Sequence, residues 1–203
     1  MDRKIRIAAI AVVVLFLSFR LYLTFGSSIP VSCTNLIDDA YYYIKIAQNI
    51  SIYGFPTFDG INPTNGFHPL WQIVLIPFFL FNPHNYLAGY YAIQLFILVV
   101  AVLNLTMFFR NAAFRYSEWA GFFALLLMLQ YNSVKILLNG MESGLYLFFL
   151  LLLYGVLIKG KAFVKAPNGV FRGKWIIGLL IASVLLTRLD SIFNIGMVPR
   201  AFS

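Results

Sequence analysis

The stretch from Asp38 to Trp71 reads DDAYYYIKIAQNISIYGFPTFDGINPTNGFHPLW and lies between long apolar segments. Its first part predicts a short helix. Asn35 can cap that helix, and the adjacent carboxylates Asp38 and Asp39 favour the positive end of the helix dipole. The polar stretch is therefore predicted to begin with a helix that places two acids in its first turn.

Turn-forming residues dominate the second half of the stretch, and they favour an ordered loop over another helix. These residues are Gly54, Pro56, Asp59, Gly60, Asn62, Pro63, Asn65 and Gly66. Aromatic rings alternate with them, and such rings favour the level of lipid headgroups. The rings are Phe55, Phe58, Phe67 and Trp71. We interpret the stretch as an active-site loop at a membrane surface.

The composition is typical of an integral membrane protein. Of the 203 residues, 61% are hydrophobic, 18% aromatic and only 11% charged, which is outside the range of soluble domains. The net charge of +8 does not indicate nucleic-acid binding, because the Lys and Arg residues flank apolar segments instead of forming one basic face. Cys33 is the only cysteine, so an internal disulfide is excluded.

Hydropathy predicts an all-α membrane bundle of about five spans, forming one module over residues 1–203. The spans are expected at residues 5–25, 86–109, 119–138, 141–158 and 175–198, with an outer loop carrying juxtamembrane helices at 26–85. The apolar segment from Pro69 to Phe81 is too short to cross a hydrocarbon layer of about 30 Å, and it contains Pro77. This segment is expected to lie along the membrane surface or to enter the bilayer partway.

The basic segments set the predicted orientation. With five spans, residues 110–115 and 159–174 both face the cytoplasm together with the amino terminus, as the positive-inside rule requires. Five of the seven acids then fall on or near the outer face, namely Asp38, Asp39, Asp59, Glu142 and Asp190. The alternative is that acids are simply less restricted on that side. Arg188 and Asp190 lie within a predicted span, where ionisable groups are costly and usually functional.

Four motifs resemble the GT-C glycosyltransferases, in particular bacterial members of the arabinofuranosyltransferase and mannosyltransferase type. The motifs are DDAYYYIKIAQNI at 38–50, GF..FDGINPTNGFHPLW at 54–71, GMESGLY at 140–146 and RLD at 188–190. The resemblance extends from Arg3 to Asp190. It implies a GT-C helical bundle in a bacterial plasma membrane, which transfers a sugar from a polyprenyl-phosphate donor to a cell-envelope glycan or lipid acceptor on the outer face.

The resemblance also implies roles for particular residues. Asp38 and Asp39 match the essential aspartates of the first outer loop, residues 58–71 match the part that shapes the sugar pocket, and Glu142 matches the acid of a second outer loop. Many relatives have proline where this chain has Leu189, and family members continue through further spans. We therefore expect the chain to be the amino-terminal part of a longer enzyme, or to act together with a partner subunit. The sequence leaves open whether the chain is active alone.

Sugar transfer to a hydroxyl needs a base and a group that stabilises the departing phosphate. Asp38 is our first choice for the base, supported by Asp39. Because neighbouring helix positions point about 100° apart, which of them faces the pocket stays open. Asp38, Asp39 or Glu142 would also be the ligand of a divalent cation such as Mg²⁺ or Mn²⁺, if one is used. The alternative for the pair is a capping acid beside a solvated one.

The other candidate residues would bind substrate. Tyr42 and Lys45 share a helical face with Asp38, and the remaining candidates are Asn65, His68, Lys135, Arg188 and Asp190, with Arg20 as a further cation for a lipid phosphate. For the cations the alternative is snorkelling to the interface, and for His68 it is a structural hydrogen bond.

Glu142 stands between Gly140 and Gly144, which let a ligand approach the backbone; its alternative role is an acid favoured by a helix dipole. We expect Asp38, Asp39 and Glu142 to line one cleft. No metalloprotease, P-loop or dinucleotide motif is present. A noncatalytic membrane subunit remains the second functional class, and a transporter is a weaker third.

Overall fold

Helices form every regular element of the protein in the computed structural model, which describes residues 3–26, 36–159 and 174–188. In those ranges there is no β-strand, and a single isolated bridge pairs Thr57 with Pro63. The helices are α1 (Arg3–Leu21, continued by a π-helical segment over Tyr22–Gly26), α2 (Asp38–Tyr53), α3 (Pro69–Leu75), α4 (Pro77–Leu80), α5 (Tyr86–Arg115), α6 (Glu118–Met128), α7 (Tyr131–Leu138), α8 (Ser143–Ile158) and α9 (Lys174–Thr187). The all-α prediction is confirmed.

Two of these helices are long and apolar enough to cross a membrane. They are Arg3–Gly26, with 24 residues, and Tyr86–Arg115, with 30 residues. The pair α6 and α7 would add a third span if the two helices are counted together. The apolar helices α8 and α9 are shorter than these spans within the described residues, and residues 189–198 of the last predicted span lie outside those residues.

The segment predicted as a span over residues 119–138 is divided between two helices, α6 and α7. The chain bends by 72° between α6 and α7. Gln130 has an extended backbone with ψ 152°, which interrupts the helical hydrogen bonds, and its side-chain amide donates to Ser133 Oγ at 3.2 Å. A new helix therefore begins in another direction at Tyr131.

Helix α5 is the centre of the bundle and packs against α1, α4, α6, α7 and α8. Leu105, Ala101 and Ile93 on α5 are fully buried. Two amide side chains join α5 to α8: Asn104 Nδ2 donates to the Gly144 carbonyl at 2.8 Å, and Asn111 Nδ2 donates to the Leu151 carbonyl at 2.9 Å. These bonds fix the position of α5 along α8.

The α2 helix begins where a loop from the bundle supports it. Its N-cap is Ile37, with no side-chain cap; the predicted capping residue, Asn35, lies outside the described residues. The Ile37 N–H donates to the Asn139 carbonyl at 3.2 Å, which joins the start of α2 to the loop between α7 and α8. That backbone contact replaces the capping side chain and brings the motifs at 38–50 and 140–146 side by side.

Helix α3 supports the other side of α2. Trp71 and Leu75 of α3 are buried in the same core as Tyr43, Ile44 and Ala47 of α2. Helix α3 ends at Leu75 and α4 begins at Pro77, and neither helix is long enough to span a membrane. The expectation that residues 69–81 do not form a span is therefore supported by their length.

Candidate active site

An open cleft of about 500 Å³ lies beside the first two turns of α2. Its lining residues are Asp38, Asp39, Tyr41, Tyr42 and Lys45 of α2, Phe58 of the following loop, and Tyr86 at the start of α5. Asp38, Tyr42 and Lys45, which the sequence predicted to share a helical face, all line this cleft. The cleft thus combines two acids, one cation and four aromatic rings.

The two acids are accessible to a ligand. Asp38 and Asp39 are exposed, and with the rest of the described chain they form no hydrogen bond or ion pair. They are the first two residues of α2, where the unpaired N–H groups of the helix end favour negative charge. Two adjacent carboxylates therefore face the cleft without a protein partner from residues 36–159.

Lys45 supplies a positively charged group whose position is fixed. Its Nζ donates to Gln48 Oε1 at 3.0 Å, and Gln48 Nε2 donates to the Pro83 carbonyl at 2.8 Å. Lys45 follows Asp38 by seven residues, which is about 10 Å along a helix. The positions of the cation and the acid are therefore about two helical turns apart along α2.

The aromatic wall of the cleft joins α2, the loop and α5. The Tyr42 ring stacks on Phe58 with 4.8 Å between ring centroids, and its hydroxyl shares a hydrogen bond with Thr64 Oγ1 at 2.9 Å. The Tyr41 ring stacks on Tyr90 of α5 at 6.2 Å. Since each ring is held by another element, the wall is formed before a ligand binds.

The loop after α2 is ordered by Asp59, as the turn-forming residues predicted. Asp59 Oδ1 accepts the backbone N–H groups of Ile61 and Asn62, each at 2.8 Å, and Oδ2 accepts the Asn62 side chain at 2.8 Å. These bonds, led by the Asn62 N–H, hold the pKa of Asp59 well below its ordinary value. Asp59 therefore shapes the loop that presents Phe58, and its own carboxylate does not line the cleft.

Glu142 does not line this cleft. It is 4% exposed, its Oε1 lies 3.7 Å from His68 Nε2, and its Oε2 has no hydrogen-bond partner among the described residues. The N–H of His68, the residue beside this acid, donates to the Tyr43 hydroxyl of α2 at 3.1 Å. Burial raises the pKa of Tyr43, the hydrogen bond it accepts from the His68 N–H opposes that rise, and the negative charges of Glu142 and Asp39 add to it. Glu142 thus lies beside His68 and outside the cleft lining.

The other sequence-predicted site residues lie away from the cleft lining. Asn65, Lys135 and Arg188 are exposed, His68 is half-buried beside Glu142, and Arg20 has a buried Nε with no hydrogen-bond partner in the described ranges. Asp190 lies outside the described residues. Tyr41 and Tyr86 line the cleft although sequence reasoning did not select them. Tyr86 carried one usable signal, because it is an aromatic residue at the start of a long apolar helix.

Among the described residues, the acids do not gather into a metal site with three protein ligands. In the parts of the chain that the structure describes, no group of three His, Cys, Asp or Glu side chains could hold a metal ion. A divalent cation held by Asp38, Asp39 or Glu142 stays a prediction from the sequence.

No protein-family model matches this chain, and comparisons with curated proteins and with solved structures returned no match.

Proposed function

We propose that this chain carries the sugar-transfer site of a membrane glycosyltransferase of GT-C type, which uses a polyprenyl-phosphate-linked sugar. The observation that supports the proposal is the cleft itself. Two exposed acids, one oriented cation and an aromatic wall line a single opening at one end of a membrane-length helix. Each of these groups matches one part of a phosphate-linked sugar and its acceptor.

The reaction assigns each group a step. The acceptor hydroxyl oxygen attacks the anomeric carbon of the donor sugar, and the bond from that carbon to the phosphate oxygen breaks. The hydroxyl proton moves to Asp38 or Asp39, which acts as the general base. The leaving polyprenyl phosphate keeps the bonding electron pair, and the ammonium of Lys45 stabilises its added negative charge.

The aromatic wall accounts for sugar binding. Sugar rings present apolar C–H faces as well as hydroxyls, and aromatic side chains with a polar end suit such mixed surfaces. Tyr42 offers both, because its ring faces the cleft and its hydroxyl is held by Thr64. The sugar would lie against Tyr42 and Phe58, between the acids and Lys45.

Donor binding tests this assignment. Replacing Tyr42 by alanine should weaken the binding of a radiolabelled polyprenyl-phosphate sugar to the purified chain by about 2- to 10-fold, since aromatic contacts contribute roughly 0.5–1.5 kcal/mol beyond buried area. Tyr53→Ala is the matched control, because Tyr53 is an exposed tyrosine on the same helix outside the cleft. Absence of donor binding by the unaltered chain, or equal effects of both variants, would argue against the proposed site.

The proposed topology has five spans and a cytoplasmic amino terminus, with the cleft on the outer face. Helix α5 is 30 residues long, so its ends are about 45 Å apart, and the cleft lies at the end that contains Tyr86. With Cys33 changed to serine, Asn65→Cys should react with an impermeant thiol reagent in intact cells, whereas Tyr116→Cys should react only after permeabilisation. Labelling of both positions from one side would contradict this topology.

A noncatalytic membrane subunit is the second candidate function, and one observation favours it. Glu142, which the resemblance matches to the acid of a second outer loop, is buried and does not line the cleft. A subunit would bind the donor without turning it over, so measurement of sugar transfer beside donor binding separates the two functions.

A further inference from the structure

The cleft lined by Asp38 and Asp39 is called the acidic cleft from here on. A second cavity, of about 810 Å³, opens at the opposite end of the bundle from it. It lies between the first half of α1, the last third of α5, the start of α6 and the end of α8. Tyr86 lines the cleft and Arg110 lines this cavity. These two residues are 24 positions apart on α5, about 36 Å along the helix axis. We call this cavity the basic groove.

The groove is apolar along most of its length and positively charged at one end. Val13, Val14 and Leu125 line the apolar part, and Arg6, Arg110 and Lys159 line the charged end. The order along the helices explains this separation. Arg6 and Glu118 pair at one level, and Val13 and Leu125 each follow seven residues later, about 10 Å further along α1 and α6.

The charged end has an excess of two positive charges. Three cations, Arg6, Arg110 and Lys159, and one acid, Glu118, line it. Arg6 donates to Glu118 Oε1 through Nη2 at 2.8 Å and through Nε at 3.0 Å, so this acid is already engaged. Lys159 Nζ lies 5.8 Å from the centroid of the Phe114 ring, and Arg110 is exposed. With the other residues of the described chain, Arg110 and Lys159 form no ion pair.

We propose that the basic groove binds an anionic phospholipid, with an acyl chain beside Val13 and Val14 and the phosphate between Arg110 and Lys159. Three observations favour a lipid over a covering protein helix. The cavity volume is within the range of about 300–1,000 Å³ that suits small ligands. Its apolar part leads to a charged end, which matches the acyl chain and the charged headgroup of a phospholipid. Basic pockets between membrane helices are established sites for anionic headgroups, whereas an apolar helix over the same cations would leave their charge buried and unpaired.

The site is independent of sugar transfer. In the proposed topology this end of the bundle faces the cytoplasm, where the leaflet carries anionic lipids. The acidic cleft faces outward. The lipid is therefore a bound constituent of the bundle and not the substrate.

Native mass spectrometry of the full chain, extracted into detergent and equilibrated with equal amounts of phosphatidylglycerol and phosphatidylcholine, tests the proposal. The unaltered chain should retain one phosphatidylglycerol in preference to phosphatidylcholine. Arg110→Gln and Lys159→Gln should each lower the apparent affinity for phosphatidylglycerol roughly fivefold, as expected for loss of one interfacial cation. Arg115→Gln is the matched control, since Arg115 is an exposed arginine on the same helix that does not line the groove, and it should change the affinity less than twofold.

A fourth variant separates binding in the groove from general charge attraction. Val14 is 53% exposed and lines the groove, so Val14→Trp should fill it, leave the net charge unchanged and reduce retention of both lipids. Equal losses for Arg115→Gln and Arg110→Gln would overturn the proposal, because the attraction would then be diffuse. Unchanged lipid retention in Val14→Trp would also overturn it. If that variant instead dissociated a dimer, the occupant would be a second copy of the chain.

Discussion

Replacing Asp38 by asparagine should lower the rate of sugar transfer by about 10²- to 10⁴-fold, the usual contribution of a general base. The exposed carboxylate lines the cleft and has no protein partner among residues 36–159, so loss of its charge should leave folding nearly unchanged. Asp39→Asn should show a comparable loss if Asp39 is the base, and a smaller one if it only orients the acceptor. The measurement is the rate of transfer from a labelled polyprenyl-phosphate sugar in reconstituted membranes.

Ser51→Ala is the control for these two variants. Ser51 lies on the same helix, and its hydroxyl donates only to the Ala47 carbonyl within α2, at 3.2 Å. The Ser51→Ala variant should transfer sugar at the same rate as the unaltered chain. Near-normal turnover in both aspartate variants would remove the pair as the reaction centre, and the subunit function would then be preferred.

Replacing Gly140 by alanine should destabilise the protein by about 2–5 kcal/mol. Gly140 has a φ of +81°, a conformation that costs an L-residue roughly 1–2 kcal/mol. An added Cβ would also lie 2.4 Å from Leu36 Cδ2 and 2.7 Å from Ala40 Cβ, and overpacking of this kind costs typically 1–3 kcal/mol. Ala40 follows the two cleft acids directly, so relief of the clash should also displace the start of α2.

Gly54→Ala separates these two contributions. Gly54 has nearly the same φ, +79°, but nothing lies within 4 Å of the Cβ that would be added. It should therefore show the backbone cost alone, about 1–2 kcal/mol. Thermal unfolding in detergent, followed by loss of helical circular dichroism, gives the comparison. Equal midpoints for the two variants would mean that the loop at Gly140 does not press on α2.

The site motif was more predictable than the helix bundle around it. Asp38 and Asp39 in a first helical turn, followed by a density of Gly, Pro and Asn, are local signals, and both α2 and the ordered loop follow from them. The break between α6 and α7 was not foreseen, since residues 119–138 are apolar enough for one span. It depends on the extended backbone at Gln130, which hydropathy does not report.

The buried position of Glu142, outside the cleft lining, could not be predicted from the sequence either. Flanking glycines suggested an approach by a ligand, but one of them, Gly140, instead admits Leu36 and Ala40 of the chain itself. A glycine indicates that another group approaches the backbone closely, but it does not identify that group. Tyr41 and Tyr86 were missed for a related reason, because they meet in the cleft only after α2 packs beside α5.

The two asparagine bonds between α5 and α8 have a consequence for the surrounding bilayer. Asn104 and Asn111 bind carbonyls of Gly144 and Leu151, two pairs separated by the same seven residues, so sliding one helix along the other would break both bonds at once. Helix α5, with 30 residues, is about 45 Å long, and its contact with α8 cannot be adjusted to suit a thinner membrane. Any mismatch with a hydrocarbon layer of about 30 Å must be met by tilt of the whole bundle or by deformation of the lipid. Bilayer thickness would then change the depth of the acidic cleft without changing its shape.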